Sequence, residues 1–142
     1  MGTRSRIGYI LPSGRIRSIY CHWDGYPEHQ YPILTESYSN SDRIRELFDL
    51  GDISNLHENI GSKHDWKDKN DCINAYGRDR GEHEGTEAQI STNREEFLRL
   101  AGNTGGGWAY LWNGKKWLVF ENQGSYNWKQ KKTKDVWTPI KT

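Results

Sequence analysis

Trp108-Ala109-Tyr110-Leu111-Trp112-Asn113-Gly114-Lys115-Lys116-Trp117-Leu118-Val119-Phe120 is the stretch that decides the fold class. Two apolar, aromatic-rich runs flank Asn113-Gly114, the pair best suited to a type I′ turn, whose central residues both need φ above zero. The stretch predicts a β-hairpin. A second hairpin is predicted over residues 6–23. There Ile7, Tyr9 and Leu11 alternate with Arg6, Gly8 and Ile10, Pro12-Ser13-Gly14 turns the chain, and Ile16, Ser18 and Tyr20 alternate with Arg17, Ile19 and Cys21. Apolar residues on both faces point to central strands, and Asp24-Gly25 ends the second of them.

Between the hairpins the period changes. Residues 31–38 can form a short helix with Pro32 in its first turn, where its missing N–H costs nothing. A clearer helix follows: Ser41 is the expected N-cap, Ile44, Leu47 and Phe48 sit at helical spacing, and Gly51 stops it. Residues 52–70 are polar and turn-rich, so a surface excursion is expected. Residues 72–76 are a strand candidate that runs into a loop, Gly77-Arg78-Asp79-Arg80-Gly81-Glu82. Thr92-Asn93-Arg94-Glu95 has the form of a capping box, and Phe97, Leu98 and Ala101 give its helix a narrow apolar face ended by Gly102. This order predicts a single α+β domain over residues 1–124. It is a mostly antiparallel sheet with N- and C-terminal β-hairpins and two to three helices packed on one face. Residues 125–142 form a basic, aromatic C-terminal tail expected to dock on that domain.

The chain has 142 residues, about one domain's length, and only 25 of them are Ile, Leu, Val or Phe. A mean hydropathy of -1.01 leaves a small aliphatic core. Seven Trp and eight Tyr make up the shortfall, since each buried ring can remove ~150–250 Å² from water. With a net charge of +1, nothing holds the chain open by self-repulsion. No apolar run reaches the ~18 residues of a membrane helix, so no membrane partner is expected. The opening segment is too short and interrupted for a signal peptide, and Arg6 stands where a myristoylation signal wants Ser or Thr. Two cysteines, Cys21 and Cys72, make no disulfide framework, which points to a reducing compartment with both thiols free. The charge is unevenly spread. Residues 1–20 carry four bases and no acids, residues 24–61 eight acids against two bases, and residues 101–142 seven bases against two acids.

Two constellations can carry chemistry. Cys21, His22, Trp23 and Asp24 lie at a strand end, where alternation puts Cys21 and Trp23 on one face and His22 and Asp24 on the other. His22 therefore does not activate Cys21, whereas Asp24 can orient His22. The plainer alternative makes Cys21 and Trp23 core, Asp24 a turn cap and His22 a satisfied polar side chain. In the loop of residues 77–82, Arg78 and Arg80 present forked donors suited to phosphate or carboxylate; the alternative is that Asp79 and Glu82 neutralise them. No zinc spacing links Cys21, His22, His29, His57, His64, Cys72 and His83, so no metal or other cofactor is expected. In the tail, Trp128, Lys129, Lys131, Lys132, Lys134 and Trp137 interleave rings with cations, as a single-strand surface would. Gly105-Gly106-Gly107 lies between a helix end and a strand, the wrong order for a phosphate loop.

Ser18-Ile19-Tyr20-Cys21-His22-Trp23-Asp24-Gly25-Tyr26-Pro27-Glu28, with the opening Met1-Gly2-Thr3-Arg4-Ser5 and the later Tyr76-Gly77-Arg78-Asp79-Arg80-Gly81-Glu82, resembles a group of small proteins encoded by bacteriophages, prophages and plasmids. The chain departs from that pattern after Glu28, where His29-Gln30-Tyr31 replaces a glycine-containing stretch. The resemblance implies expression in a bacterial host cytoplasm and an accessory role that inhibits or diverts a host system, including defence systems that signal through nucleotides. The leading expectation is thus a non-catalytic protein that binds, and inhibits or sequesters, a host component: a phosphorylated, nucleotide-like small molecule or a host protein. His22, Trp23, Asp24 and Tyr26 would form its pocket with Arg78, Asp79, Arg80 and Glu82. One alternative is a small phosphoester hydrolase or nuclease in which His22 is the general acid or base, Asp24 orients it, and Arg78 and Arg80 hold the phosphate. Another is a single-stranded nucleic-acid binder using the tail. A homo-oligomer is left open.

Overall fold

The alternating residues near the N-terminus form two central strands, β1 (Ser5–Ile10) and β2 (Ile16–Cys21), paired antiparallel with Ile7 opposite Ile19. A computed structural model describes residues 3–61, 72–123, 125–127, 132–134 and 136–140 of the chain. The β1–β2 connection is tight: the Gly14 N–H donates to the Leu11 carbonyl at 2.8 Å, and Gly14 takes φ 92°, which glycine adopts without a Cβ penalty. The second predicted hairpin is β6 (Trp108–Trp112) with β7 (Trp117–Asn122). Its turn is not type I′, because Gly114 but not Asn113 has positive φ. A four-residue loop takes its place, in which the Asn113 side chain accepts from the Lys115 and Lys116 amides at 2.9 and 2.8 Å.

Among the described residues four helices join these strands: α1 (Pro27–Ser37), α2 (Ser41–Asp49), α3 (Tyr76–Arg80) and α4 (Arg94–Asn103). The first begins earlier than expected because Pro27 occupies its first turn, leaving Pro32 inside the helix. Asn40, not Ser41, caps α2, accepting from the Arg43 N–H at 2.9 Å. Asn93, not Thr92, caps α4, accepting from the Glu96 N–H at 2.9 Å, while Glu96 reaches back to the Thr92 N–H at 3.3 Å. The cap lies one residue further on, because Asn caps at least as well as Thr, and the glutamate returns to the residue before the cap rather than closing a capping box.

The short strands are β3 (Ile53–Asn55), β4 (Asn74–Ala75), β5 (Gln89–Ser91), β8 (Ser125–Asn127), β9 (Lys132–Lys134) and β10 (Trp137–Ile140). The main sheet runs β10-β7-β6-β1-β2-β3-β4, with β5 also pairing on β2. Two of its pairings, β1 with β6 and β2 with β3, are parallel and the rest antiparallel. The architecture is the expected single α+β domain, with helices on both faces of the sheet rather than one. Ile7, Ile19, Tyr110, Trp117 and Val119 pack under α1 and α2, where Leu34, Leu47 and Phe48 close the larger core. On the other face α4 brings Phe97 and Ala101 onto Ile16, Ala109, Leu111 and Phe120. Strands apolar on both sides need two covering layers.

Two expectations about the connections change. The polar stretch after α2 is only partly surface, since Ile53, Leu56 and Ile60 are buried. Residues 137–140, placed beyond the domain of residues 1–124, form the edge strand of its main sheet, antiparallel to β7. Residues 125–127 and 132–134 form a separate two-stranded sheet. His64, Trp128, Lys129 and Lys131 lie outside the described residues.

Candidate functional site

The outer edge of β2 forks. Its C-terminal end pairs parallel with β3 through Cys21 and Ile53, and its N-terminal half pairs antiparallel with β5 from Ile16 to Ser18. Tyr20 lies in the gap. Its N–H has no strand partner there and donates instead to the Asp52 carboxylate at 2.9 Å. Beside this gap a cavity of about 640 Å³ opens toward the end of α4, with Arg4, Arg6, Tyr20, Asp52 and Asn103 in its wall. That volume lies within the ~300–1,000 Å³ typical of small-molecule sites.

Arg6 is the unusual residue of that wall. It stands in the middle of β1 on the α4 side and is 1% exposed. Its Nε donates to the Ser18 hydroxyl at 2.8 Å, and Nη2 makes a long contact of 3.5 Å to the Ser18 carbonyl. Burial pulls its pKa down, and the Asp52 charge opposes that shift without forming an ion pair among the described residues. Asp52 shows the converse. Burial raises its pKa, while the Tyr20 amide and Arg6 pull it back.

His22 continues the site past the strand end. Its amide donates to the Ile53 carbonyl at 3.2 Å, and Nδ1 is 2.7 Å from the Tyr20 hydroxyl. The ring stands edge-on to Trp23 with centroids 4.8 Å apart. Partial burial lowers its pKa, and the charges of Arg4 and Arg80 lower it further. The two charges that act on it come from positions 76 residues apart in the sequence. Arg80 lies over the Tyr76 ring at 4.8 Å and donates to the Ser54 hydroxyl at 3.2 Å. Neither Arg4 nor Arg80 forms an ion pair among the described residues.

The predicted site residues divide. The Arg80 charge acts on His22. Arg78 turns away: its guanidinium donates to both Asp79 oxygens at 3.0 Å and to the Gly61 and Ile73 carbonyls at 2.8 Å. Asp79 also accepts from the Ala75 N–H at 2.8 Å. This pair anchors the start of α3, and Arg78 lines a different cavity, with Arg17, Asp49 and His83. Residues 77–82 are therefore not an open glycine loop. They are a helical turn whose carbonyls accept from the Gly81 and Glu82 amides, with Gly81 as its left-handed cap. The Glu82 side chain is exposed.

The turn after β2 also differs from the reading. Trp23 is not core but 45% exposed, and Tyr26 is 38% exposed as the N-cap of α1. Asp24 takes φ 55°, and His22 Nδ1 is engaged by Tyr20 rather than by Asp24. Cys21 is core, as the plainer alternative had it. Burial raises its thiol to about 12 despite the hydrogen bond from Gln30 Nε2 at 3.0 Å, which leaves no thiolate nucleophile.

Sequence reasoning missed Arg4, Arg6, Tyr20, Asp52 and Asn103. One signal was available: a cation at an inward position of a strand read as central is a buried charge, and buried charges call for a counter-ion or a ligand. Among the described residues, no three His, Cys, Asp or Glu side chains gather as metal ligands, and no helix is long and apolar enough to cross a membrane. Compared with protein-family models, curated proteins and solved structures, the chain matches none.

Proposed function

We propose that this chain is an accessory protein of a phage, prophage or plasmid that binds a component of its bacterial host in the cytoplasm and sequesters or inhibits it. The component is a phosphorylated, nucleotide-like small molecule. One observation carries the chemical part: Arg4 and Arg6 line a cavity of ligand size, neither with an ion-pair partner among the described residues, and the charges of Arg4 and Arg80 both act on His22, which Tyr20 of the same wall holds at 2.7 Å. Unpaired guanidinium groups around a donor-rich pocket favour an anion, and phosphate offers the geometry their forked donors match. Trp23, exposed and in contact with His22, supplies an apolar face beside that imidazole. The host role rests on the sequence resemblance.

The test is to purify the protein from bacterial cells, denature it, and identify released small molecules by mass spectrometry. An intact phosphorylated compound is expected from the wild type and not from the Arg4→Ala/Arg80→Ala variant. A wild-type protein that releases none, and binds neither inorganic phosphate nor nucleoside phosphates in calorimetry, overturns the proposal.

A second reading, a small phosphoester hydrolase, is favoured by the 2.7 Å contact of Tyr20 with His22, which fixes the imidazole beside two arginines. In it His22 acts as general acid or base and Tyr20 takes the orienting role expected of Asp24. Turnover of phosphoesters that disappears in His22→Ala would select this reading; a ligand released unaltered selects the first.

A further inference from the structure

The interior end of the cavity has a polarity that a simple anion does not need. Arg6 carries five N–H donors, and no hydrogen bond it makes to a described residue uses Nη1. A cation this buried, without an ion-pair partner among the described residues, is costly unless something else satisfies it. In the same wall, one Asp52 oxygen, Oδ1, is taken by the Tyr20 amide, and no hydrogen bond from a described residue uses the other. A guanidinium thus faces the cavity beside a carboxylate with which it forms no ion pair. A bare phosphate would satisfy the first and be repelled by the second. A ligand with an anionic group and a neighbouring hydroxyl satisfies both, since the hydroxyl donates to the carboxylate while the anion accepts from the guanidinium.

We propose that this cavity is a subsite for a phosphorylated sugar, its phosphate held by Arg6 with Arg4 and a sugar hydroxyl held by Asp52. The inference rests on the reading of the chain as a binder of phosphorylated molecules and adds to it the sugar and the residues that select it. Tyr20 is the hinge of the arrangement: its amide fixes Asp52 and its hydroxyl fixes His22, so the subsite and the arginine cluster at the rim share one residue.

Calorimetric titration of the full chain with inorganic phosphate, ribose and ribose 5-phosphate tests this. Ribose 5-phosphate is expected to bind at least about tenfold more tightly than either fragment. Asp52→Asn keeps an acceptor for the Tyr20 amide, so it is expected to fold. It should weaken ribose 5-phosphate by about tenfold or more while inorganic phosphate, relieved of the carboxylate's repulsion, binds at least as tightly as to the wild type. Arg6→Lys, checked for a cooperative thermal transition, is expected to weaken both phosphorylated probes; should it not fold, Asp52→Asn alone decides. Ribose 5-phosphate binding no tighter than phosphate, or Asp52→Asn binding it as the wild type does, overturns the subsite. Loss of phosphate binding in Arg4→Ala/Arg80→Ala with no effect of Asp52→Asn or Arg6→Lys would remove this inference and leave the proposed function standing.

Discussion

The Tyr110 hydroxyl on β6 donates to the Gly25 carbonyl at 2.6 Å, joining residues 85 positions apart in the chain. Gly25 is gripped on its other side as well. Its N–H donates to the Thr3 carbonyl at 2.8 Å, and a Cβ there would lie 2.7 Å from Ser5 Cβ. The chain is pinned at Gly25, and Asp24 just before it is held at φ 55°, a region costly to residues other than Gly, Asn and Asp. The hairpin near the C-terminus thereby sets where the turn bearing His22 and Trp23 leaves the sheet.

Tyr110→Phe removes that donor and leaves a buried carbonyl unsatisfied. The expected loss is about 1–3 kcal/mol, read by denaturant unfolding. The ring of Phe still fills the core, so the fold persists, and affinity for a phosphorylated ligand should fall along with stability. Unchanged stability would mean that the Gly25 carbonyl finds another donor.

The depressed pKa of His22 gives a pH signature. Below its ordinary 6.5 the unfolded chain protonates residue 22 before the folded chain does. Neutral His22 thus contributes stability above about pH 6.5 that is lost as the solution is acidified through the folded value. His22→Gln is expected to flatten the fall of Tm with pH in that interval. A bound anion opposes the Arg4 and Arg80 fields, so the His22 ring protons should titrate at higher pH when phosphate saturates the site, an NMR measurement.

Asp52 has the opposite sign. Its folded pKa is raised by burial, so any stability linked to its proton is fully present below the ordinary 3.8 and is lost as pH rises through the folded value. At pH 7 the carboxylate is held at a cost. Asp52→Asn is therefore expected to be at least as stable as the wild type at pH 7, and that advantage should vanish on acidification below the carboxylate range, as read by Tm. A lower Tm at pH 7 would show that attraction to Arg6 outweighs the cost of burial.

With its thiol raised to about 12 and no exposure, Cys21 should resist iodoacetamide in the native protein and react once the chain is unfolded. Native-state alkylation at residue 21, mapped by mass spectrometry, would contradict its place in the core.

The second face of the sheet is the easiest to break. Gly8 lies under α4, where an added Cβ would come within 2.8 Å of Phe97 Cε1 and 3.0 Å of Ile16 Cγ2. Gly8→Ala should cost about 1–3 kcal/mol by overpacking, and Phe97→Ala about 3–5 kcal/mol by leaving a cavity. Both are measured by urea denaturation.

Local patterns carried most of the fold. Alternation marked β1, β2, β6 and β7, helical spacing marked α2 and α4, and the double-sided apolar pattern placed the first hairpin at the sheet centre. What escaped was set by contacts distant in sequence. Arg78 and Asp79 looked like part of an anion-binding loop because nothing local shows that the Gly61 and Ile73 carbonyls take up the guanidinium. Trp23 looked like core because alternation was carried two residues beyond the strand, which ends at Cys21. For the site, His22 and Arg80 were legible as chemistry-bearing residues near turns. Arg6 and Asp52, 46 positions apart in the sequence, become neighbours only when β3 docks on β2.

The forked edge of β2 separates the dimensions of the cavity from the integrity of the core. β3 and β5 share one strand edge without pairing with each other, and residues 82–85, on the way into β5, are exposed and reach the cavity wall at Gly85. Insertions or deletions there would widen or narrow the opening beside Tyr20 while the aromatic interior stays as it is. A scaffold of this kind can be retuned to ligands of different bulk by connector length alone, with the recognition chemistry of Arg6 and Asp52 left in place.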